Sequence, residues 1–123
     1  MDFIDANYIL RYLLRDNPKQ FFIAKEIIEN REVIIQDFIL AEVVYVLEKV
    51  YVVPRKEIKL ALEQFLAYPN IGLSNKNACL ASMETYVENK IDFADALLIA
   101  YHKTNAFSKL HTFDKKILKL IST

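Results

Sequence analysis

No stretch of this chain is long enough for an ordinary strand. Its β-branched or apolar runs outside helical patterns are Phe3-Ile4, Val33-Ile34-Ile35 and Ile71-Gly72-Leu73, with a further short segment at residues 109–112. The first three runs show no apolar–polar alternation, which suits strands buried on both faces. Short strands alternating with helices argue for a parallel sheet, because each helix supplies the crossover that a parallel pair needs. The expected class is therefore α/β, with helices layered on a short parallel sheet.

The intervening segments read as seven helices. Residues 8–15 place Ile9, Leu10, Leu13 and Leu14 in helical step. Asn17-Pro18 is an N-cap followed by proline at the first helical position, opening a helix to about Asn30 that buries Phe21, Phe22, Ala24, Ile27 and Ile28. Asp37 can cap the next helix, whose inner face is Leu40, Val43, Val44 and Leu47, with Glu42 a turn inside. Pro54 starts another, with Ile58, Ala61, Leu62, Phe65 and Leu66 in step, and Pro69-Asn70 stops it. Ser74 is the expected cap of a helix carrying Leu80, Met83 and Val87. Asp92 caps the sixth, in which Leu97, Leu98 and Tyr101 share a face and Asp95 sits over the positive end of the helix dipole. Asn105 ends that helix, residues 109–112 form the expected fourth strand, and a last helix carries Ile117, Leu118, Leu120 and Ile121.

A chain of 123 residues is one domain, 1–123, that buries about two thirds of its unfolded surface without staples. The single glycine excludes the P-loop and the dinucleotide fingerprint, which need several. Sixteen basic residues balance sixteen acidic ones, so nucleic acid binding would need a local patch. Cys79 is the only cysteine. It rules out internal disulfides and cysteine-rich zinc sites, and its apolar helical setting reads as a buried, inert thiol. No apolar run approaches membrane-spanning length, and Asp2 follows Met1 where a secretory signal would carry positive charge. The expectation is a cytoplasmic protein with no membrane association.

Right-handed crossovers set the strand-to-helix junctions along one sheet edge, where ligand sites of such folds lie. Four acids fall at or near those junctions: Asp5 after the first run, Glu42 in the helix after the second, Asp95 in the first turn of its helix, and Asp114 after residues 109–112. Each has an ordinary alternative. Asp5 could make an Asx-turn, Glu42 could be a solvated helix residue, Asp95 a dipole-favoured acid, and Asp114 an N-cap. Their convergence changes the weighing, because two carboxylates about 4 Å apart repel by roughly 4 kcal/mol at an effective dielectric near 20. A domain stable by only about 5–15 kcal/mol tolerates few such pairs without a cation. An all-oxygen site suits Mg²⁺ or Mn²⁺ rather than zinc, and His102 and His111 read as surface residues.

Ile4-Asp5-Ala6-Asn7, Leu40-Ala41-Glu42-Val43, Asp92-Phe93-Ala94-Asp95-Ala96-Leu97 and Thr112-Phe113-Asp114 resemble, in order and spacing, the motifs of PIN-domain ribonucleases, most closely the VapC toxins of toxin–antitoxin pairs. The resemblance runs from Asp5 to Asp114. It implies a three-layer PIN-like fold, with a sheet of four strands, a fifth left open, and about seven helices. It also implies a metal-dependent endoribonuclease. The family's acidic quartet falls on Asp5, Glu42, Asp95 and Asp114, with Asp5, Asp95 and Asp114 holding the first metal and Glu42 a ligand or a positioner of the attacking water. One or two Mg²⁺ or Mn²⁺ ions are left open. Asn7, Thr112 and Asp92 match supporting positions. Ala6 departs from the Thr or Ser of many members, and many members add a final edge strand after the last helix.

The implied partners are an RNA substrate and a VapB-like antitoxin, with helices at residues 9–14 and 43–51 as candidates for both the antitoxin groove and a homodimer face; Tyr8, Tyr12, Tyr45 and Tyr51 suit an interface, with a place in the core as their alternative. Arg11, Arg15, Lys109, Lys115 and Lys116 are the candidate RNA contacts, with plain surface solvation as their alternative. Two rival readings stand beside this one. The first is a catalytically silent PIN-like module that binds RNA or protein. The second is another phosphotransfer enzyme on a related layered fold, ranked lower because neither an Asp-x-Asp pair nor a lysine-bearing phosphate motif is present.

Overall fold

Two residues per strand are all the sheet contains. The computed structural model describes residues 1–105 and 109–122. Its elements are β1 (Asp2–Phe3), α1 (Ala6–Leu14), α2 (Pro18–Asn30), β2 (Val33–Ile34), α3 (Asp37–Lys49), α4 (Arg55–Leu66), β3 (Ile71–Gly72), α5 (Lys76–Glu88), α6 (Phe93–Thr104) and α7 (Lys115–Ile121). The strands are parallel in the order β1-β2-β3, with Asp2 opposite Val33 and Val33 opposite Ile71. The Asp2, Val33 and Ile35 amides donate to the Glu32, Asn70 and Gly72 carbonyls, each at 2.9 Å. Both crossovers move the same way across the sheet, so right-handed connections stack α1–α2 and α3–α4 on one face. The packing of α1 against both α2 and α3 agrees.

The α/β class, the parallel sheet and the seven helices match expectation; the strand count does not. Among the described residues there are three strands, not four or five. Residues 109–112 join no ladder. Lys109 and His111 are exposed and only Leu110 packs on the core, so the segment lacks the buried apolar anchor that Val33 and Ile71 give β2 and β3; β1 is itself exposed at Phe3, against the expectation of burial on both faces. Residues 106–108 lie outside the described residues. Among those described, no helix is long and apolar enough to cross a membrane.

Short polar side chains start the helices. Asp5, Asn17, Asn75 and Asp114 are N-caps whose side-chain oxygens accept from the amides of Tyr8, Gln20, Ala78 and Ile117 at 2.9–3.1 Å. Two expected caps shift by one residue. Asn75 replaces Ser74, and Gln36 occupies the cap position before α3, leaving Asp37 in the first turn. Asp92 is an N-cap by position, yet its side chain makes no cap hydrogen bond.

The core is one cluster running from Ile4 to Ile117, with Ile9, Ile28, Ile35, Leu40, Ile58, Leu62, Leu66 and Ile99 buried. Four residues expected inside are outside: Phe3, Phe22, Leu98 and Leu118. In α6 the inner face is Phe93, Ala96, Leu97, Ile99 and Ala100, which turns Leu98 outward. Polar locks close the periphery. The Tyr12 hydroxyl meets Glu29 (2.6 Å) and Tyr68 (3.0 Å), and burial, reinforced by both neighbours, pushes its phenol above the usual range. The Asn70 amide donates to the carbonyls of Ile28 and Arg31, both at 2.7 Å, tying the end of α2 to the start of β3.

Val52 adopts φ 53° in the turn between α3 and α4 and is exposed. A β-branched residue in the left-handed region carries a penalty of about 1–2 kcal/mol that asparagine largely avoids. Val52→Asn therefore raises stability by up to about 1 kcal/mol, read as a higher urea midpoint with an unchanged m-value; a lower midpoint refutes the strain.

Candidate active site

The first turn of α6 is where acidic groups gather. Asp92 enters with extended backbone (φ −69°, ψ 151°), and its carbonyl accepts the Ala96 amide at 3.0 Å. Asp95 follows within the first helical turn, half-buried because Phe93, Ala96 and Leu97 anchor the helix in the core. Asp114 arrives from the other end of the segment that leaves α6, capping α7, which packs against α6. Its Oδ1 accepts the Ile117 amide at 2.9 Å, and its own amide donates to Thr112 Oγ1 at 3.0 Å. Burial raises the Asp95 carboxyl above its ordinary 3.8, and the charges of Asp92 and then Asp114 push it the same way. The fold has thus brought Asp92 and Asp114 into electrostatic reach of Asp95.

The other two predicted acids are placed differently. Asp5 is exposed at the end of β1, where Oδ1 caps α1 through the Tyr8 amide (3.0 Å). It lines an open groove of about 650 Å³ with Asp2, Phe3, Ile4, Tyr8, Ile27 and Ile39. Glu42 is exposed midway along α3. Among the described residues, no three of His, Cys, Asp and Glu lie close enough to hold a metal ion. The donor set nevertheless fits a hard divalent cation in kind: it is all oxygen, and Asp95 bears the repulsion of Asp92 and Asp114 that such an ion relieves. Asp5 and Asp114 each commit one carboxylate oxygen to a cap, and a carboxylate has a second to offer a ligand.

Of the supporting positions, Thr112 holds the Asp114 amide, whereas Asn7 lines a cleft of about 160 Å³ between α1 and α2. Lys109, Lys115 and Lys116 are exposed, and Lys116 Nζ donates to the Lys90 carbonyl at 3.2 Å. Arg11 is engaged within the fold by Asp16 (2.9 Å) and the Tyr51 hydroxyl (3.0 Å). Arg15 ends α1 at φ 55° with its guanidinium 4.8 Å from the Phe21 ring centre. Tyr12 is buried, while Tyr8, Tyr45 and Tyr51 are exposed.

Two polar clusters went unforeseen in the sequence. Asp37 accepts from the Tyr101 hydroxyl and faces the Cys79 thiol at 3.9 Å; burial, with Asp37, pushes that thiol up to about 12, so it is inert. The second joins Arg55, Glu48 and Tyr86. A signal for it exists, since Arg55 opens α4, where the helix dipole disfavours a cation. Such a placement calls for a tertiary partner.

The family model of the PIN domain matches residues 3–121. The chain belongs to the PIN domain family. PIN domains are generally nucleases that use divalent metals, and the match takes in all four predicted acids. No curated protein and no solved structure matches this PIN domain.

The Asp95 environment has a measurable sign. A carboxyl whose pKa is higher in the folded chain than in the unfolded one destabilises the fold when ionised. The penalty is absent below the ordinary value near 3.8 and complete once pH has risen through the folded value. In chelator at pH 7, Asp95→Asn melts no lower than wild type, and any gain disappears as the pH is lowered to the ordinary carboxylate value. A marked loss of melting temperature at pH 7 would instead assign Asp95 to stabilising the helix start.

Proposed function

We propose that this PIN domain is a metal-dependent endoribonuclease that cleaves RNA phosphodiester bonds with an activated water, and that it is the VapC-like toxin of a toxin–antitoxin pair. The observation that carries the reading is the gathering of Asp92, Asp95 and Asp114 by α6 and α7 in a chain whose family is generally nucleolytic. Asp5, Asp95 and Asp114 would hold the first Mg²⁺ or Mn²⁺, with Glu42 completing the set or positioning water. When bound, the ion supplies water activation at neutral pH and neutralises charge growing on the phosphate and the leaving oxygen.

The chain's own residues do the positioning. Caps to the Tyr8 and Ile117 amides fix the Asp5 and Asp114 carboxylates, and Thr112 holds the backbone that carries Asp114. An acidic centre repels RNA, so cations must line its approach. Lys115 and Lys116 follow Asp114 directly and are exposed, and Lys109 lies nearby in sequence. Arg15 remains a candidate, while Arg11 must leave Asp16 and Tyr51 to contribute. The exposed Phe38, Tyr45 and Tyr51 on and after α3 support a partner face, for which a VapB-like antitoxin and a second copy of the chain are the proposed occupants. The lone free cysteine, Cys79, fits a reducing, cytoplasmic setting.

One observation favours the rival, a catalytically silent PIN module that binds RNA or protein: no three acids among the described residues come within metal-holding distance. Cleavage of a broad RNA panel with Mn²⁺ decides between them. Wild type cleaves and is silenced by chelator, and Asp5→Asn lowers the rate by a hundredfold or more while melting within a few degrees of wild type. Equal inactivity of both proteins across the panel establishes the silent module.

A further inference from the structure

The turn between α5 and α6 delivers Asp92 and Asp95, and its Asn89, Lys90 and Ile91 carbonyls accept from cationic side chains. Arg55, the first residue of α4, sends Nη1 to the carbonyls of Tyr86 (2.7 Å), Asn89 (3.2 Å) and Ile91 (2.7 Å). Lys116 holds the one between, that of Lys90, at 3.2 Å. Arg55 Nη2 is oriented in turn by Glu48 at 3.3 Å, on α3. Burial pushes the Glu48 carboxyl up, but the 2.5 Å bond from the Tyr86 hydroxyl and the Arg55 charge outweigh it, so Glu48 stays ionised. The guanidinium also lies 4.1 Å from the Tyr86 ring centre, and Tyr86 meets Phe93 edge-on at 6.0 Å and 83°. Phe93 is the residue after Asp92 and the first of α6.

This cluster borders the acids. Glu48, Lys49 and Tyr45 line one cavity of about 130 Å³ together with Asp92, and the charge of Asp92 reaches the Tyr86 hydroxyl. Asp92 makes no cap hydrogen bond of its own, so the entry to α6 is held from the preceding turn rather than by the acid itself. The two N–H groups on Nη1 serve these carbonyls while Nη2 of the same rigid plane is held by Glu48, so the guanidinium ties the turn to α3, which an ammonium with its single nitrogen does not do.

We propose that Arg55 is a positioning residue for the acidic site: by clamping the α5–α6 turn it sets where the Asp92 and Asp95 carboxylates stand, and hence how tightly the site takes a divalent cation. The inference rests on the metal-dependent reading above. Arg55 itself touches neither metal nor substrate.

Arg55→Lys tests it, with Lys59→Met as control; Lys59, on the same helix, pairs with Glu63 of α4 (3.4 Å) and Glu84 of α5 (2.9 Å). Mn²⁺ affinity is measured by calorimetry on each protein, and by the Mn²⁺ dependence of RNA cleavage. In Arg55→Lys the Mn²⁺ dissociation constant rises tenfold or more by both measures, kcat at saturating Mn²⁺ stays within threefold of wild type, and Lys59→Met stays within twofold throughout. An Arg55→Lys protein that melts lower yet binds Mn²⁺ like wild type overturns the assignment and leaves Arg55 a purely stabilising residue. If Arg55→Lys does not fold, Glu48→Gln carries the test, since it removes the carboxylate that aims the fork; a threefold or greater weakening supports the assignment and unchanged affinity overturns it. Wild type that binds no Mn²⁺ refutes the metal reading first, a result distinct from wild type and variant binding alike.

Discussion

The sheet is too short to hold this protein together. Neighbouring strands register over two residues each, so few ladder hydrogen bonds link β1 to β2 or β2 to β3. Cohesion has to come from helices packed on one apolar cluster, and from side chains that satisfy backbone groups left open at helix ends and turns. Asn70 does so at the end of α2, Arg55 does so after α5, and four capping residues do so at helix starts. These locks are polar, largely at the periphery, and specific in geometry, whereas the apolar cluster beneath supplies most of the favourable free energy without direction.

That division of labour shapes the acidic site. Asp5 and Asp114 are bound to helix starts by one oxygen each, so the same carboxylates that serve the fold are available to a ligand. Asp95 stands on a helix whose inner face fixes it against the core, and it bears the repulsion of Asp92 and Asp114 as a consequence. Capping and dipole effects each contribute about 1 kcal/mol or less, comparable with the repulsion of partly solvated charges. The chain can therefore keep acids together without coming apart.

Much of this was legible in advance. Asn17-Pro18 announced a helix start, and β2 and β3 announced themselves by short apolar runs without alternation. The order of the acids, with their motifs, led to the PIN family, which the match over residues 3–121 establishes. Where the reading failed, it did so for tertiary reasons. Leu98 looked like a core residue because leucines were counted along a stripe, but smaller Ala96 and Ala100 take the inner face where α6 packs closely against α5. Residues 109–112 occupy the place of a strand in the chain order, yet they join no ladder and only Leu110 packs on the core. Arg55, Glu48 and Tyr86 are far apart along the chain, and only their convergence gives an oddly placed arginine its purpose.

By itself the sequence determined local matters: which segments coil into helices, where most of them start, and which acids stand near the ends of short strands. Those properties depend on neighbours a few residues apart, through periodicity, capping and turn chemistry. Tertiary structure alone decided which carboxylates share an electric field, which tyrosines are buried, and which cation holds the turn before Asp92. Charge interaction and desolvation depend on distance through space and on what excludes water, and neither is encoded in spacing along the chain.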